Sequence, residues 1–318
     1  GCAASAAVNA LIYPEAPVIT APANTCTSAF TLPVVTPYAG FTVQYRIQNV
    51  PNSILIDWTS TPVMPTTPGC YTIQARYVNT AQCGSIAPLT PGTGSCGSSN
   101  VVNTVIFPAA PVISFNSGIP DADIQRCPGT GLLFIIFPPY PPGAFGNWYE
   151  FELQYRWNGV WSTPGTIVGG IPDWFAVGCK EIVTRYVLKS DCGSTLAGTS
   201  GETVAPACGL SNSIFLNNTP PPPVISATAN TCGAMFALPT VPAVPGYTVE
   251  YSIDGGGTWS ANPSTTTAGC YAVRARYVLA AACGSFPVGT PALAACQASN
   301  TVQITIFPAV TGTITSVN

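Results

Sequence analysis

Cysteine spacing constrains this 318-residue chain more than any other feature. Thirteen cysteines without a single histidine are the signature of a disulfide framework formed in an oxidising compartment. Zinc is the rival use of clustered thiolates, and the spacing excludes it. No Cys-x-x-Cys pair occurs, and Cys70, Cys83 and Cys96 stand too far apart for a zinc knuckle. No metal and no cofactor is therefore expected.

The cysteines are punctuated by an internal repeat. The segment Gly69-Cys70 through Arg76-Tyr77-Val78 returns as Gly178-Cys179 through Arg185-Tyr186-Val187 and again as Gly269-Cys270 through Arg276-Tyr277-Val278. Each copy is followed by Cys-Gly-Ser, at Cys83, Cys192 and Cys283, and then by a cysteine shortly before Ser-Asn, at Cys96, Cys208 and Cys296. Each unit opens with Cys26, Cys127 or Cys232, so three units of four account for twelve of the thirteen cysteines.

The flanks carry partial copies. Cys2 with Asn9 to Thr20 matches the stretch from Asn103 to Ser114, and Ala309 to Asn318 resembles an opening strand. The expected organisation is therefore the final strand of a preceding repeat over 1–15 and three repeats over 16–108, 109–219 and 220–308. The first strand of a following repeat then spans 309–318, and the partner of Cys2 lies outside the chain. Such a chain is either a window on a longer array or a subunit completed by its neighbours.

Period-two alternation marks the strands. In Phe41-Thr42-Val43-Gln44-Tyr45-Arg46-Ile47 the odd positions are apolar and the even ones polar. The same holds for Tyr247 to Ile253, and for Tyr71, Ile73, Ala75 and Tyr77 against Thr72, Gln74 and Arg76. Asp254 before Gly255-Gly256-Gly257 reads as a turn. Short alternating strands with frequent turn signals predict an all-β fold of tandem, disulfide-stapled, immunoglobulin-like β-sandwich repeats. Proline-rich junctions such as Pro220 to Pro223 act as semi-rigid spacers and predict a rod-like shape.

That topology selects among the three pairings that four cysteines allow. Strands B and F start at the same end of a sandwich, which joins the first cysteine to the second; the end of F meets the start of G, which joins the third to the fourth. The expected bridges are Cys26–Cys70, Cys83–Cys96, Cys127–Cys179, Cys192–Cys208, Cys232–Cys270 and Cys283–Cys296.

Composition narrows the function. Charged residues make up 7% of the chain and the net charge is −3, too little to steer it onto nucleic acid or an anionic membrane. The apolar run Leu132 to Phe137 is far shorter than the roughly 20 residues of a membrane helix. Without histidine, and with Lys180 and Lys189 as the only lysines, the usual activation of a Ser or Cys nucleophile is unavailable. The scattered carboxylates suggest no glycosidase pair. Catalytic residues are expected to be absent.

The stretch from Tyr247 to Ser260, followed by Ala268-Gly269-Cys270-Tyr271, resembles the repeat core of very large Bacteroidota surface adhesins of the gliding-motility type exported by type IX secretion. The first repeat carries a weaker version, in which Tyr45-Arg46-Ile47 leads to Trp58. The resemblance implies a module on the cell surface and specifies no ligand.

Two sets of side chains remain as candidate contacts. The second repeat holds four of the six tryptophans. Trp157 fits the core period, whereas Trp148, Trp161 and Trp174 fall in predicted loops and are candidates for a glycan or lateral contact. Arginines on the polar strand face are expected to pair across strands, Glu250 with Arg274 or Arg276 and Glu152 with Arg185. Asp121 and Asp123 read as a solvated loop in preference to a calcium site.

The reading these features support is an extracellular, cell-surface structural or adhesive fibre. Its partners are neighbouring repeats or copies of itself end to end, with surface glycans as a further partner class. The alternatives are a carbohydrate-binding surface module, or a pilus-like subunit that polymerises by strand complementation.

Overall fold

The computed structural model describes residues 8–49, 53–115, 123–128, 135–136, 150–157, 159–162 and 176–310. Its strands are β1 (Thr25–Cys26), β2 (Phe41–Asn49), β3 (Ser53–Thr59), β4 (Gly69–Asn79), β5 (Val102–Phe107), β6 (Ser114–Phe115), β7 (Ile124–Arg126) and β8 (Ile135–Ile136). The second half holds β9 (Phe151–Trp157), β10 (Val160–Ser162), β11 (Gly178–Leu188), β12 (Ile214–Asn218), β13 (Thr231–Cys232), β14 (Tyr247–Ser252), β15 (Gly269–Leu279) and β16 (Val302–Phe307). Among the described residues no helix is long and apolar enough to cross a membrane.

Contacts divide the chain into two compact units. The first comprises Gly1–Val112, Phe137–Tyr155 and Thr184–Ser211; the second comprises Ile113–Ile136, Arg156–Val183 and Asn212–Asn318. The second sequence repeat thus contributes residues to both.

The fold is all-β and immunoglobulin-like. The sheets run β1-β5-β4-β2-β3, β10-β9-β11-β12-β7 and β13-β16-β15-β14, with β6 pairing β8 apart from them. Alternation produces the first sheet as the sequence predicts. The β2–β4 ladder runs in antiparallel register from Phe41 opposite Asn79 to Asn49 opposite Tyr71. Tyr71, Ile73, Ala75 and Tyr77 are buried, while Thr72, Gln74 and Arg76 remain partly exposed. Across that face lie Ile19 and Phe30 from covering segments without strand pairing, together with Leu32, Val35 and Met64. Burying each large apolar side chain contributes about 1.5–3 kcal/mol. The third repeat repeats the scheme, with Phe236 over Val273, Ile304 and Ile306. Tyrosine hydroxyls tie the covering segments down, Tyr45 donating to the Pro33 carbonyl and Tyr251 to the Pro239 carbonyl, each at 2.8 Å.

Two asparagine signatures explain why the repeat is spelled as it is. In each Ser-Asn pair the serine hydroxyl accepts the N–H of a residue on the central strand: Ala75 for Ser99, Thr184 for Ser211 and Ala275 for Ser299, each at 2.9 Å. The asparagine amide then grips both backbone groups of the opening segment, Ile19 by Asn100, Ile113 by Asn212 and Ile225 by Asn300. Asn24 and Asn230, each two residues before a first cysteine, accept the N–H of Val105 and Thr305.

The first cysteine is not on strand B. β1 runs parallel to β5, with Cys26 opposite Phe107, and β13 runs parallel to β16, with Cys232 opposite Phe307. It therefore lies at the edge of a sheet, beside β5 and β4 in the first case and beside β16 and β15 in the second. Two residues of pairing carry no periodicity from which this could be read.

Candidate functional site: the cysteine joint

Each Cys-Gly-Ser motif is a two-residue hairpin. Cys83 and Ile86 exchange both backbone hydrogen bonds, as do Cys192 with Thr195 and Cys283 with Phe286. The intervening glycines, Gly84, Gly193 and Gly284, hold φ of 60°, 60° and 57°, the left-handed conformation that favours glycine at the first turn position. Glycine is required for a second reason. A β-carbon on Gly193 would lie 2.7 Å from Asn103 Cβ, and one on Gly284 would lie 2.3 Å from Asp123 Oδ2. The hairpin is pressed against the last strand of the repeat before it.

That contact carries the disulfides. Cys26 bonds Cys208 and Cys70 bonds Cys192 in the first unit; Cys127 bonds Cys296 and Cys179 bonds Cys283 in the second. The rule is constant: the first cysteine of one repeat joins the fourth of the next, and the second joins the third. Cα separations of 5.7–5.9 Å are those of ordinary bridges.

None of the six within-repeat bridges predicted from the sequence forms, and the sheet order explains why. Cys26 and Cys70 are separated by β5, so that two interstrand spacings, about 9–10 Å, lie between them, beyond disulfide reach. The same interposition keeps Cys127 from Cys179, across β12, and Cys232 from Cys270, across β16. The third and fourth cysteines fail to meet because they face different points of the preceding strand. Cys192 Sγ lies 3.6 Å from the Thr104 carbonyl oxygen and Cys208 Sγ 3.4 Å from that of Phe107, three residues or about 10 Å further along. Cys83 and Cys96 are held apart in the same way, and Cys283 and Cys296 bond to other partners. Cys83, Cys96, Cys232 and Cys270 are free thiols, and Cys2 lies outside the described residues.

The two bonded joints differ in what surrounds the sulfur. In the first unit Val105, Phe107, Phe151, Leu153, Tyr186 and Leu188 pack with the disulfides in one apolar cluster, and the Phe107 and Phe151 rings stand 5.8 Å apart. Glu150 is buried at its edge, 7% exposed, accepting a hydrogen bond from the Cys70 amide. Burial pushes its carboxyl up to about 7, and the Cys70 N–H pulls the other way. Burial together with the nearby Glu150 charge drives the Tyr71 phenol up to about 12.

In the second unit the positions of Val105, Ile106 and Phe107 are taken by Asn217, Asn218 and Thr219. The Tyr247 hydroxyl donates to Asn217 Oδ1 at 2.5 Å and lies 3.0 Å from the Asn218 carbonyl oxygen, and Thr219 Oγ1 sits 3.1 Å from Cys296 Sγ. Asp123 accepts the N–H of Phe215 at 2.8 Å and of Ser285 at 2.5 Å, tying the hairpin to the strand. Its role is a tether inside the joint, where the sequence suggested a solvated loop; Asp121 lies outside the described residues.

Tryptophan and arginine meet on the polar sheet face. Arg76 stacks over Trp58 at 4.2 Å, Arg276 over Trp259 at 4.3 Å and Arg156 over Trp161 at 5.5 Å. Trp161, expected in a loop, stands half-buried in β10, while Trp148 and Trp174 lie outside the described residues. Glu250 pairs with Arg276 at 2.7 Å, directly opposite it in register. In the second repeat the partners differ from expectation. Arg185 donates to Gln154 Oε1, and Arg156 pairs with Glu181 at 3.2 Å. Asp254 shapes its turn, accepting from the Ser252 hydroxyl and the Gly257 and Thr258 amides. These bonds hold its carboxyl well below the usual range.

No family model matches the chain, and no curated protein matches it. Among solved structures it is similar to the SGBP-B protein of the Bacteroides ovatus mixed-linkage glucan utilization locus, solved with a mixed-linkage heptasaccharide. Identity there is 13%, coverage 95% of this chain and 70% of that one, and the TM-score 0.19. The N-terminal four Ig domains of Dscam1 isoform 4.4 align at 12% identity over 94% of this chain and 74% of theirs, with a TM-score of 0.25. A SusE-like surface-located polysaccharide-binding protein from the Bacteroides thetaiotaomicron heparin utilisation locus aligns at 10% identity, over 92% and 53%, with a TM-score of 0.17.

Proposed function

We propose that the chain is part of an extracellular structural or adhesive fibre, in which successive immunoglobulin-like repeats are locked covalently to one another. One observation carries this reading: at both bonded joints two disulfides link a repeat to its successor, and among the described residues none closes within a repeat. A domain that needed only its own stability would place the bridge inside its core. Bridges between consecutive repeats instead fix their succession, which is what a load-bearing or spacing element requires. Disulfides persist outside the reducing cytosol, in keeping with a secreted or surface protein.

Negative-stain micrographs of the native material, taken before and after dithiothreitol, test the proposal. Filaments that loosen or shorten on reduction are expected; compact particles indifferent to reductant would overturn it. In the same preparation a glycan array distinguishes the carbohydrate-binding alternative. A signal lost on Trp161→Ala would favour that alternative over a purely structural role.

A further inference from the structure

The four free thiols occupy the same places as the bonded ones. Cys83 Sγ lies 3.8 Å from the Ala10 carbonyl oxygen and Cys96 Sγ 3.7 Å from that of Tyr13; Cys192 and Cys208 stand so against Thr104 and Phe107. The Ala16 N–H donates to the Ser95 carbonyl at 2.9 Å, as the Ala110 N–H does to that of Ala207 at 2.8 Å. Tyr13 meets the Phe41 ring at 5.3 Å, as Phe107 meets Phe151. Residues 9–16 thus sit where the last strand of a preceding repeat sits, beside two thiols, Cys83 and Cys96, that have no disulfide partner among the described residues.

The third repeat presents the complementary half. Cys232 pairs with Phe307 as Cys26 pairs with Phe107, and Cys270 stands opposite Thr305 as Cys70 stands opposite Val105. What differs is cover: Phe107 is 0% exposed, whereas Phe307 is 52% exposed, and both thiols beside it are exposed.

We propose that Cys232 and Cys270, with Phe307 between them, are a covalent docking site for the first repeat of a second copy of this chain, whose Cys83 and Cys96 are themselves unbridged. Cys232 takes the cysteine before that repeat's Ser-Asn pair, and Cys270 takes the cysteine of its Cys-Gly-Ser hairpin. Cys96 and Cys83 are the opposite half, taking a first and a second cysteine. Each bond forms between two sulfurs by thiol–disulfide exchange with a small-molecule disulfide such as oxidised glutathione. Its S–S bond breaks, it accepts the two electrons and two protons of the protein thiols, and it leaves as two thiols. Between two copies of this chain, Val302–Phe307 of one would replace residues 9–16 of the other in their seat.

This inference rests on the fibre reading and names its partner. The test is disulfide mapping of the intact protein after equilibration with reduced and oxidised glutathione, thiol blocking and digestion without reduction. Mass spectrometry is expected to find Cys270 linked to a Cys-Gly-Ser peptide and Cys232 linked to a peptide preceding Ser-Asn. Both links should vanish in Cys232→Ser/Cys270→Ser while the four internal bridges remain. Linked material that reduces to 32.8 kDa chains supports a second copy as the partner, and a heavier reduced chain, which would make the partner a further repeat of the same polypeptide, would overturn that assignment. Four alkylated thiols, or the within-repeat links Cys83–Cys96 and Cys232–Cys270, would overturn the proposal. Filaments that persist with all four thiols alkylated would leave the fibre reading standing without it.

Discussion

The joint of the first unit and that of the second hold their sulfurs in the same places over different chemistry. One is apolar and aromatic, with Phe107 fully buried against Phe151. The other is a hydrogen-bonded arrangement in which Thr219 replaces the ring and the Tyr247 hydroxyl reaches Asn217 and Asn218. The difference teaches that geometry at the joint is set by the hairpin glycine and the disulfide register, while the side chains beneath are free to vary between apolar packing and hydrogen bonding.

The sharpest way to break that comparison is to truncate the ring. Phe107→Ala should lower the unfolding free energy of the first unit by about 3–5 kcal/mol, as expected of a large buried aromatic. Thr219→Ala at the matching position should cost about 1 kcal/mol. Denaturant titrations of the two variants with disulfides intact read the contrast, and equal losses would refute it. Opening one bridge in each unit, by Cys70→Ser/Cys192→Ser or Cys179→Ser/Cys283→Ser, should cost about 2–4 kcal/mol in either background. A much smaller loss in one unit would mean that its side chains, and not the sulfur, hold the register.

Acidity separates the joints next. Glu150 has a folded pKa of about 7 against an ordinary 4.5, so its protonated form is the one the fold prefers. Its contribution is complete below pH 4.5 and is lost as pH rises towards 7, a fall of roughly 2 kcal/mol after allowance for solvent screening. Melting curves across that window should show the first unit losing stability and Glu150→Gln flattening the trend. A slope unchanged by the substitution would place its origin elsewhere. Tyr247→Phe in the second joint should cost about 1–2 kcal/mol, because it strands the Asn217 amide oxygen. The smallest effect belongs to the sheet face: Glu250→Gln should cost about 0.5–1 kcal/mol and less in high salt.

Much of this architecture was legible in the residues. Strand alternation placed β2, β4 and β14, because each has one face in the core and one in water, and the match of Gly269 through Val278 to Gly69 through Val78 placed β15. The bridging partners were not legible. A four-cysteine motif that recurs three times offers each sulfur equivalent partners within its repeat and in the next, and only the sheet order and the points at which the third and fourth cysteines meet the preceding strand exclude the former. The first cysteine was misplaced onto strand B because a two-residue parallel strand has no period. Its marker was the asparagine two residues before Cys26 and Cys232, whose bond to the last strand fixes that edge. Glu150 carried no signal at all, since nothing in a local pattern announces a carboxyl buried beside a partner eighty residues away.

The bridging rule has a mechanical consequence. A pull applied between the opening segment of the first repeat and β16 travels through the shortest covalent route. It passes across Cys26–Cys208, back along the backbone to Cys179, across to Cys283 and onward. Residues 27–178 and 209–282 lie off that route, so while the sulfurs hold an unravelling chain can lengthen only through the residues left on it, such as 180–207. Reduction would return the bypassed residues to the tether and lengthen it several-fold.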